Sequence, residues 1–235
     1  MTDDEMDCFR QTLWKLLEDK GLSQMARGEA LRVLEALDVV DRLHVIADVL
    51  HGMDTPPRRG IGRFPYITHP QAAVRQLEQW GYTNADDPVT LAVGWGHDLF
   101  EDTRLRDNTG ILLTLAGTAK DEMRKVIDGI RTLSFLPEAG LTDEEYVSQK
   151  RAYIADVAAN APASVLVVKM ADRLCNTRDF LAGGDPHAKM YLDEGKCLFE
   201  RLSETKHPQL VEAALAEVRF DADKFFDEWI GHPFN

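Results

Sequence analysis

Apolar residues recur at helical spacing along much of the chain. Three sets of residues show it: Phe9, Leu13, Leu16 and Leu17; Leu31, Leu34 and Leu37; and Met123, Val126, Ile127 and Ile130. Positions i, i+3, i+4 and i+7 form one face of an α-helix. No pair of alternating strands joined by a hairpin turn stands out. The pattern predicts an all-α protein, a single helical bundle of about ten helices.

Glycine and proline divide these helical stretches into segments. We expect residues 1–38 to form an N-terminal helical extension, residues 39–200 the main domain, and residues 201–235 C-terminal helices packing on the same domain. One helix start is defined more sharply than the others. Thr142 is a candidate N-cap, and Glu145 stands at the capping-box position three residues later.

Composition narrows the class of protein. The 235 residues include 40 acidic and 27 basic side chains, a formal net charge of -13. This charge disfavours long nucleic acids, which bind through Lys and Arg. Three cysteines without a CxxC pair suggest a reducing compartment. Because there is neither a signal-peptide pattern nor an apolar run of about 18 residues, we expect a cytoplasmic protein without a membrane span.

One segment departs from the overall acidity. Residues 55–77 contain no Asp or Glu but four arginines, Arg58, Arg59, Arg63 and Arg75. Such a run is either a solvated loop or a cationic surface that attracts an anion. Both interpretations stay open on composition alone.

The most concentrated chemistry lies at residues 97–102, His-Asp-Leu-Phe-Glu-Asp. An apolar run precedes it, so we expect a buried helix that places one imidazole and three carboxylates on neighbouring rows. Like charges at this spacing repel, and a divalent cation relieves the repulsion. Imidazole and carboxylate suit Mn²⁺, Fe²⁺ or Zn²⁺. Taken alone, however, a His-Asp pair is more often part of a solvated helix face.

Two further segments accompany this one. Residues 66–70 read Tyr-Ile-Thr-His-Pro, and residues 169–176 read Lys-Met-Ala-Asp-Arg-Leu-Cys-Asn. A histidine before proline, then His-Asp, then a distant aspartate resembles the HD-domain metal-dependent phosphohydrolases. The residues within these three motifs are similar to those of the hydrolase domain of the RelA/SpoT alarmone enzymes. This resemblance extends over roughly residues 40–200. Since little chain remains beyond that domain, the single-domain small alarmone hydrolases are the expected type.

The resemblance implies a role for each matching position. The metal ligands would be His69, His97, Asp98 and Asp172, with one Mn²⁺ per site, and Glu101 and Asp102 would be the catalytic acidic pair. Which of the pair is base and which is acid stays open. The implied substrate contacts are Arg58, Arg59, Tyr66, Thr68, Lys169, Arg173, Asn176 and Tyr191. For Arg173, pairing with a nearby carboxylate is an equal alternative.

The implied reaction removes pyrophosphate from the 3′ position of ppGpp or pppGpp, giving GDP or GTP. Adenosine alarmones such as ppApp, or a phosphorylated nucleotide such as NADPH, are alternatives. These alternative substrates stay open because Thr68 and the Gly94-Trp95-Gly96 segment depart from the family pattern. A non-catalytic nucleotide-sensing module is the alternative of another class. A homodimer and a functional pairing with an alarmone synthetase are possible partnerships.

Overall fold

The structure is a computed structural model that describes residues 11–15, 24–54, 64–106, 108–115 and 120–230. Within these ranges it contains helices and connecting loops and no strand. Residues 11–15 are helical, and twelve longer or complete helices follow: α1 (Gln24–Ala36), α2 (Val39–Asp54), α3 (Thr68–Gln79), α4 (Pro88–Gly96), α5 (Leu99–Asp102), α6 (Thr109–Leu115), α7 (Lys120–Leu133), α8 (Asp143–Asn160), α9 (Ala163–Ala182), α10 (His187–Glu194), α11 (Lys196–Phe199) and α12 (Pro208–Ile230). A 3-10 turn, Leu202–Glu204, precedes α12. The all-α prediction is confirmed.

The helix α4 lies at the centre of the bundle. Its sequence is apolar on every side, and every residue from Thr90 to Gly96 is buried. A helix without a polar face can only be stable when other helices surround it. Four of them, α2, α3, α7 and α9, pack against it.

The helix α7 is amphipathic, as its spacing predicted. In α7, Met123, Val126, Ile127 and Ile130 are buried, while the charged residues face outward. The capping box at the start of α8 is also present, because Thr142 and Glu145 each accept a hydrogen bond from the other's backbone N–H.

The expected helix through residues 97–102 is interrupted. The helix α4 ends at Gly96 and α5 begins at Leu99, so His97 and Asp98 form the junction. The His97 ring lies 2.8 Å from the Gly94 carbonyl through Nδ1. That carbonyl is the acceptor a continuous helix would offer to the Asp98 backbone N–H, so the imidazole competes with the helical ladder.

Residues near both ends of the described chain contribute to the same hydrophobic core. Leu13, Ala30 and Leu34 are buried in it, as are Val211 and Leu215 of α12. The predicted boundaries at residues 38 and 200 remain predictions. Among the described residues, every helix is too short or too polar to cross a lipid bilayer.

Candidate metal centre and active-site pocket

Four buried side chains from three places in the fold meet at one point. His69 lies in the first turn of α3, His97 and Asp98 form the α4–α5 junction, and Asp172 lies in the middle of α9. The helix α3 packs on both α4 and α9, which brings these positions together. They are the four residues that the sequence predicted as metal ligands.

The ligating atoms of these side chains face one another. His69 Nε2 lies 3.0 Å from Asp172 Oδ1 and 3.3 Å from Asp98 Oδ2. His97 Nε2 lies 3.3 Å from His69 Nε2 and 3.2 Å from Asp98 Oδ2. Ligands about 2.1 Å from a metal ion, at right angles to one another, are about 3 Å apart. The spacing of His69, His97 and Asp98 therefore fits a single divalent ion.

The orientation of the His97 imidazole also fits a metal ligand. Because the Gly94 carbonyl can only accept, Nδ1 carries the proton, and the Nε2 lone pair faces the cluster. A metal-binding histidine is held in this way, with its other nitrogen donating to a carbonyl or carboxylate. His69, His97 and Asp98 form a group that could hold a metal ion.

Electrostatics in the cluster favour positive charge. Burial by itself would lower the pKa of His97, but Asp98 and Asp172 raise it well above the ordinary value. Burial by itself would raise the pKa of Asp98, yet His97 lowers it. The cluster thus holds ionised carboxylates that favour a proton on His97, and a metal ion bound there would take the place of that proton.

Asp172 is held by two neighbours on its own helix. Lys169 Nζ lies 3.0 Å from Asp172 Oδ2, and Asn176 Nδ2 donates to Asp172 Oδ1. Lys169 is itself buried, and although burial would lower its pKa, Asp172 raises it. Burial opposes ionisation of Asp172, whereas Lys169 lowers its pKa well below the usual range. Two of the predicted substrate contacts therefore also support a predicted metal ligand.

Glu101 and Asp102 flank the cluster on α5. Glu101 Oε1 accepts a hydrogen bond of 2.7 Å from the Phe135 backbone N–H. The surrounding protein displaces water and raises the Glu101 pKa to about 7, with Lys169 opposing the rise and Asp98 adding to it. Asp102 accepts a hydrogen bond from the Tyr66 hydroxyl. Its pKa is raised by burial and by the charge of Asp98.

A cavity of about 130 Å³ opens onto these groups. Of the predicted ligands and catalytic pair, His69, Asp98, Asp172, Glu101 and Asp102 line it, and His97 lies fully buried behind them. Of the predicted substrate contacts, it is lined by Tyr66, Lys169, Arg173, Asn176 and Tyr191. The fold therefore gathers residues that lie up to 125 positions apart in the sequence, counted from Tyr66 to Tyr191.

Thr68, another predicted substrate contact, lies outside the cavity. Thr68 is half-buried, and its hydroxyl donates to the Pro65 carbonyl at 2.8 Å rather than lining the cavity. Arg58 and Arg59 lie outside the described residues, as does Arg63. Arg75 is exposed on α3. The role of the arginine-rich segment stays a prediction.

Arg173, Asn176 and Tyr191 form a connected wall. Arg173 is buried, donates to the Tyr191 carbonyl at 2.9 Å, and its guanidinium carbon lies 3.7 Å from the Tyr191 ring centre. Asn176 Nδ2 donates to the Tyr191 hydroxyl at 3.3 Å. Burial raises the pKa of that hydroxyl to about 12, so it is a neutral group at physiological pH.

Sequence reasoning missed the side of the cavity formed by Phe135 and α8. Lys150 and Tyr153 both line it. The Tyr153 ring lies 5.7 Å from Lys169 Nζ, and its hydroxyl donates to the Leu133 carbonyl. Burial and the neighbouring Arg173 lower the pKa of Lys150. The available signal was weak, namely Tyr146, Lys150 and Tyr153 at helical spacing after a capped helix start.

Comparison with known proteins supports the architecture. Neither a family model nor a curated protein matches the chain. Among solved structures, a match is found to a metazoan ortholog of SpoT that hydrolyzes ppGpp and plays a role in starvation responses. The TM-score is 0.55 at 18% identity, over 82% of this chain and 96% of that chain. The chain therefore shares the all-helical fold of that protein.

Proposed function

We propose that this protein is a metal-dependent hydrolase that removes the 3′-pyrophosphate of guanosine alarmones, converting ppGpp to GDP and pppGpp to GTP. The observation that carries the proposal is the convergence of His69, His97, Asp98 and Asp172, with the acidic pair on α5 beside them. The fold shared with a ppGpp hydrolase supports it.

His69, His97, Asp98 and Asp172 would hold the ion, which we propose is Mn²⁺. A divalent ion at such a site supplies a Lewis acid and lowers the pKa of bound water. Mixed imidazole and carboxylate donors suit Mn²⁺, Fe²⁺ or Zn²⁺, and the resemblance to the alarmone hydrolases favours Mn²⁺.

Glu101 and Asp102 would transfer the protons of the hydrolysis reaction. A group whose pKa lies near the operating pH both accepts and donates protons efficiently, and Glu101 has a pKa of about 7. Hydrolysis requires a proton to leave the attacking water and another to reach the departing 3′ oxygen. Both carboxylates line the cavity, where these atoms would lie.

Cationic side chains would bind the phosphates. Lys150, Lys169 and Arg173 line the cavity, and they offset its carboxylates where a polyanion must approach. At about 130 Å³ the cavity is smaller than the roughly 300–1,000 Å³ usual for a whole drug-sized ligand. It therefore suits the reacting pyrophosphate end, and the rest of the nucleotide would lie outside it, where Arg58 and Arg59 are proposed to contribute.

The decisive test is incubation of the purified protein and Mn²⁺ with ppGpp, ppApp and NADPH, with chromatographic identification of the products. We expect GDP and pyrophosphate from ppGpp at the highest kcat/KM. Faster turnover of ppApp or NADPH would overturn the substrate assignment but keep the chemistry. No turnover of any of the three, with Mn²⁺ bound, would contradict the enzyme and favour a nucleotide-sensing module.

A further inference from the structure

The Tyr66 hydroxyl joins the predicted metal cluster to the predicted catalytic pair. Its oxygen lies 2.9 Å from Asp98 Oδ2 and also donates to Asp102 Oδ2. The same Asp98 oxygen faces His69 Nε2 at 3.3 Å and His97 Nε2 at 3.2 Å. The phenol therefore stands between the ligating oxygen of Asp98 and the carboxylate of Asp102.

Packing fixes the Tyr66 ring without help from a ligand. One face stacks on His51, with ring centres 4.6 Å apart and planes inclined by 25°. His69 meets the ring edge-on at 6.0 Å. The Tyr66 carbonyl accepts the His69 backbone N–H at 2.9 Å, which ties the residue to the first turn of α3. The position of the hydroxyl is thus set by the fold.

A phenol carries a single proton and donates it to one acceptor at a time. The two carboxylates compete for this proton, and they also repel each other. When Asp98 shares its charge with a cation, it becomes the weaker acceptor. The hydroxyl then donates to Asp102 and holds that carboxylate in place. The oxygen of Asp98 is left available to the cation.

We propose that Tyr66 is a positioning residue, whose hydroxyl holds Asp102 beside the metal cluster and couples this carboxylate to Asp98. The inference rests on the proposed function, because Asp102 matters through the hydrolysis it serves. It differs from the substrate contact that the sequence predicted for Tyr66. A substrate contact acts on binding, whereas a positioning residue acts on the chemical step.

Kinetics of Tyr66→Phe separate the two roles. The variant keeps the ring that packs on His51 and His69 and removes only the hydroxyl. We expect kcat for ppGpp to fall by roughly tenfold to a hundredfold with KM unchanged, as for loss of a hydrogen bond to a charged group. Tyr82→Phe is the matched control, since Tyr82 is a buried tyrosine whose hydroxyl accepts the Lys206 backbone N–H outside the site. A raised KM at unchanged kcat, or no change in either, would overturn the proposal.

A double-mutant cycle on Mn²⁺ affinity tests the coupling without turnover. Calorimetric titration would compare wild type, Tyr66→Phe, Asp102→Ala and the double variant. In Asp102→Ala the Tyr66 hydroxyl can donate only to Asp98, competing with the ion for that oxygen. We expect Asp102→Ala to weaken Mn²⁺ binding by roughly threefold more when Tyr66 is present than in the Tyr66→Phe background.

The outcomes of the two experiments are distinguishable. Additive effects of the two substitutions on Mn²⁺ affinity would overturn the role of Tyr66. If the wild type binds Mn²⁺ but leaves ppGpp intact, the proposed function fails, and the affinity cycle still decides the coupling. A wild type that does not bind Mn²⁺ would overturn both.

Discussion

The orientation of one imidazole governs the candidate metal centre. The hydrogen bond between His97 Nδ1 and the Gly94 carbonyl lies at the break in the helix and points Nε2 at His69 and Asp98. The backbone break and the ligand orientation therefore coincide at one residue. Glu101, three residues past Asp98, reaches the cavity from the next helix.

Removing a ligand and removing a proton-transfer group should have different effects. Asp98→Ala should abolish both Mn²⁺ binding and ppGpp hydrolysis, because it takes away an oxygen at the centre of the cluster. Glu101→Gln should keep Mn²⁺ binding and lower kcat by about 10²–10⁴-fold. Calorimetry and product release measure the two effects, with Asp121→Asn, an exposed acid of α7 paired with Arg124, as control. Full activity of Glu101→Gln would disprove its catalytic role.

The raised pKa of Glu101 also makes the stability of the metal-free protein depend on pH. Between the ordinary pKa of 4.5 and the folded value of about 7, the folded protein keeps a proton that the unfolded chain releases. The contribution of this carboxyl to stability is therefore present below pH 4.5 and is lost as pH rises through 7. The Glu101→Gln variant has no carboxyl group to ionise at this position, so it does not lose this stability as pH rises. Denaturant unfolding in chelator should show the variant gaining stability relative to wild type from pH 5 to pH 8, and an equal difference at both pH values would contradict the assignment.

At the scale of helices, α4 and α7 approach closely through reciprocal glycines. A Cβ built on Gly96 would lie 2.5 Å from Ile130 Cδ1, and one on Gly129 would lie 2.6 Å from Val93 Cγ2. Each glycine thus receives a side chain of the other helix. In both places the approaching atoms belong to side chains.

Gly96→Ala should therefore destabilise the fold. Overpacking costs typically 1–3 kcal/mol, and a helix-propensity gain of about 1 kcal/mol offsets part of it. We expect a net loss of up to about 2 kcal/mol in denaturant unfolding, smaller in the presence of Ile130→Val, which removes the clashing Cδ1 atom. Gly28→Ala is the matched control, because a Cβ there meets no atom within 4 Å and should stabilise α1. Strictly additive effects at Gly96 and Ile130 would argue against the clash.

The elements that the sequence predicted are those determined by local periodicity. The buried face of α7 and the capping box of α8 follow from spacing within one segment, and both are present. The break at His97 coincides with a hydrogen bond between an imidazole and a carbonyl, which periodicity does not encode. Lys150 and Tyr153 reach the cavity only because α8 docks beside it, and their helical spacing is only a weak local signal. The order of the motifs predicted which residues meet at the cluster. The other residues that line the cavity are brought there by tertiary packing.

Across the whole molecule, the net charge of -13 is compatible with a cation site and an anionic substrate. Buried carboxylates such as Asp98 and Asp172 favour a bound cation, while Lys150, Lys169 and Arg173 line the same cavity. Negative and positive side chains therefore line the same cavity, and the net charge of the whole chain reveals neither group.

Metal binding should stabilise the entire fold, because the cluster exists only when α3, α4 and α9 are packed. At a free Mn²⁺ concentration of about 100 times Kd, linkage adds about 2.7 kcal/mol to the free energy of unfolding. A rise in Tm with Mn²⁺ that chelator reverses would show it in thermal scans. His69→Ala should remove the rise, whereas His187→Ala, at an exposed histidine beside Asp185, should keep it. An unchanged Tm in wild type would contradict a metal centre at this site.

The separation of the ligands along the chain has a further consequence. His69 and Asp172 are 103 residues apart in sequence, so an ion bound by both closes a loop comparable to that of a long-range disulfide. A disulfide stabilises by restricting the unfolded chain, whereas this ion would be bound only in the folded one, so its stabilising effect depends on the free metal concentration. Unlike a disulfide, this cross-link opens by ligand exchange, without any redox reaction. The supply of metal would then set how long each folded molecule survives, as well as how fast it turns over substrate.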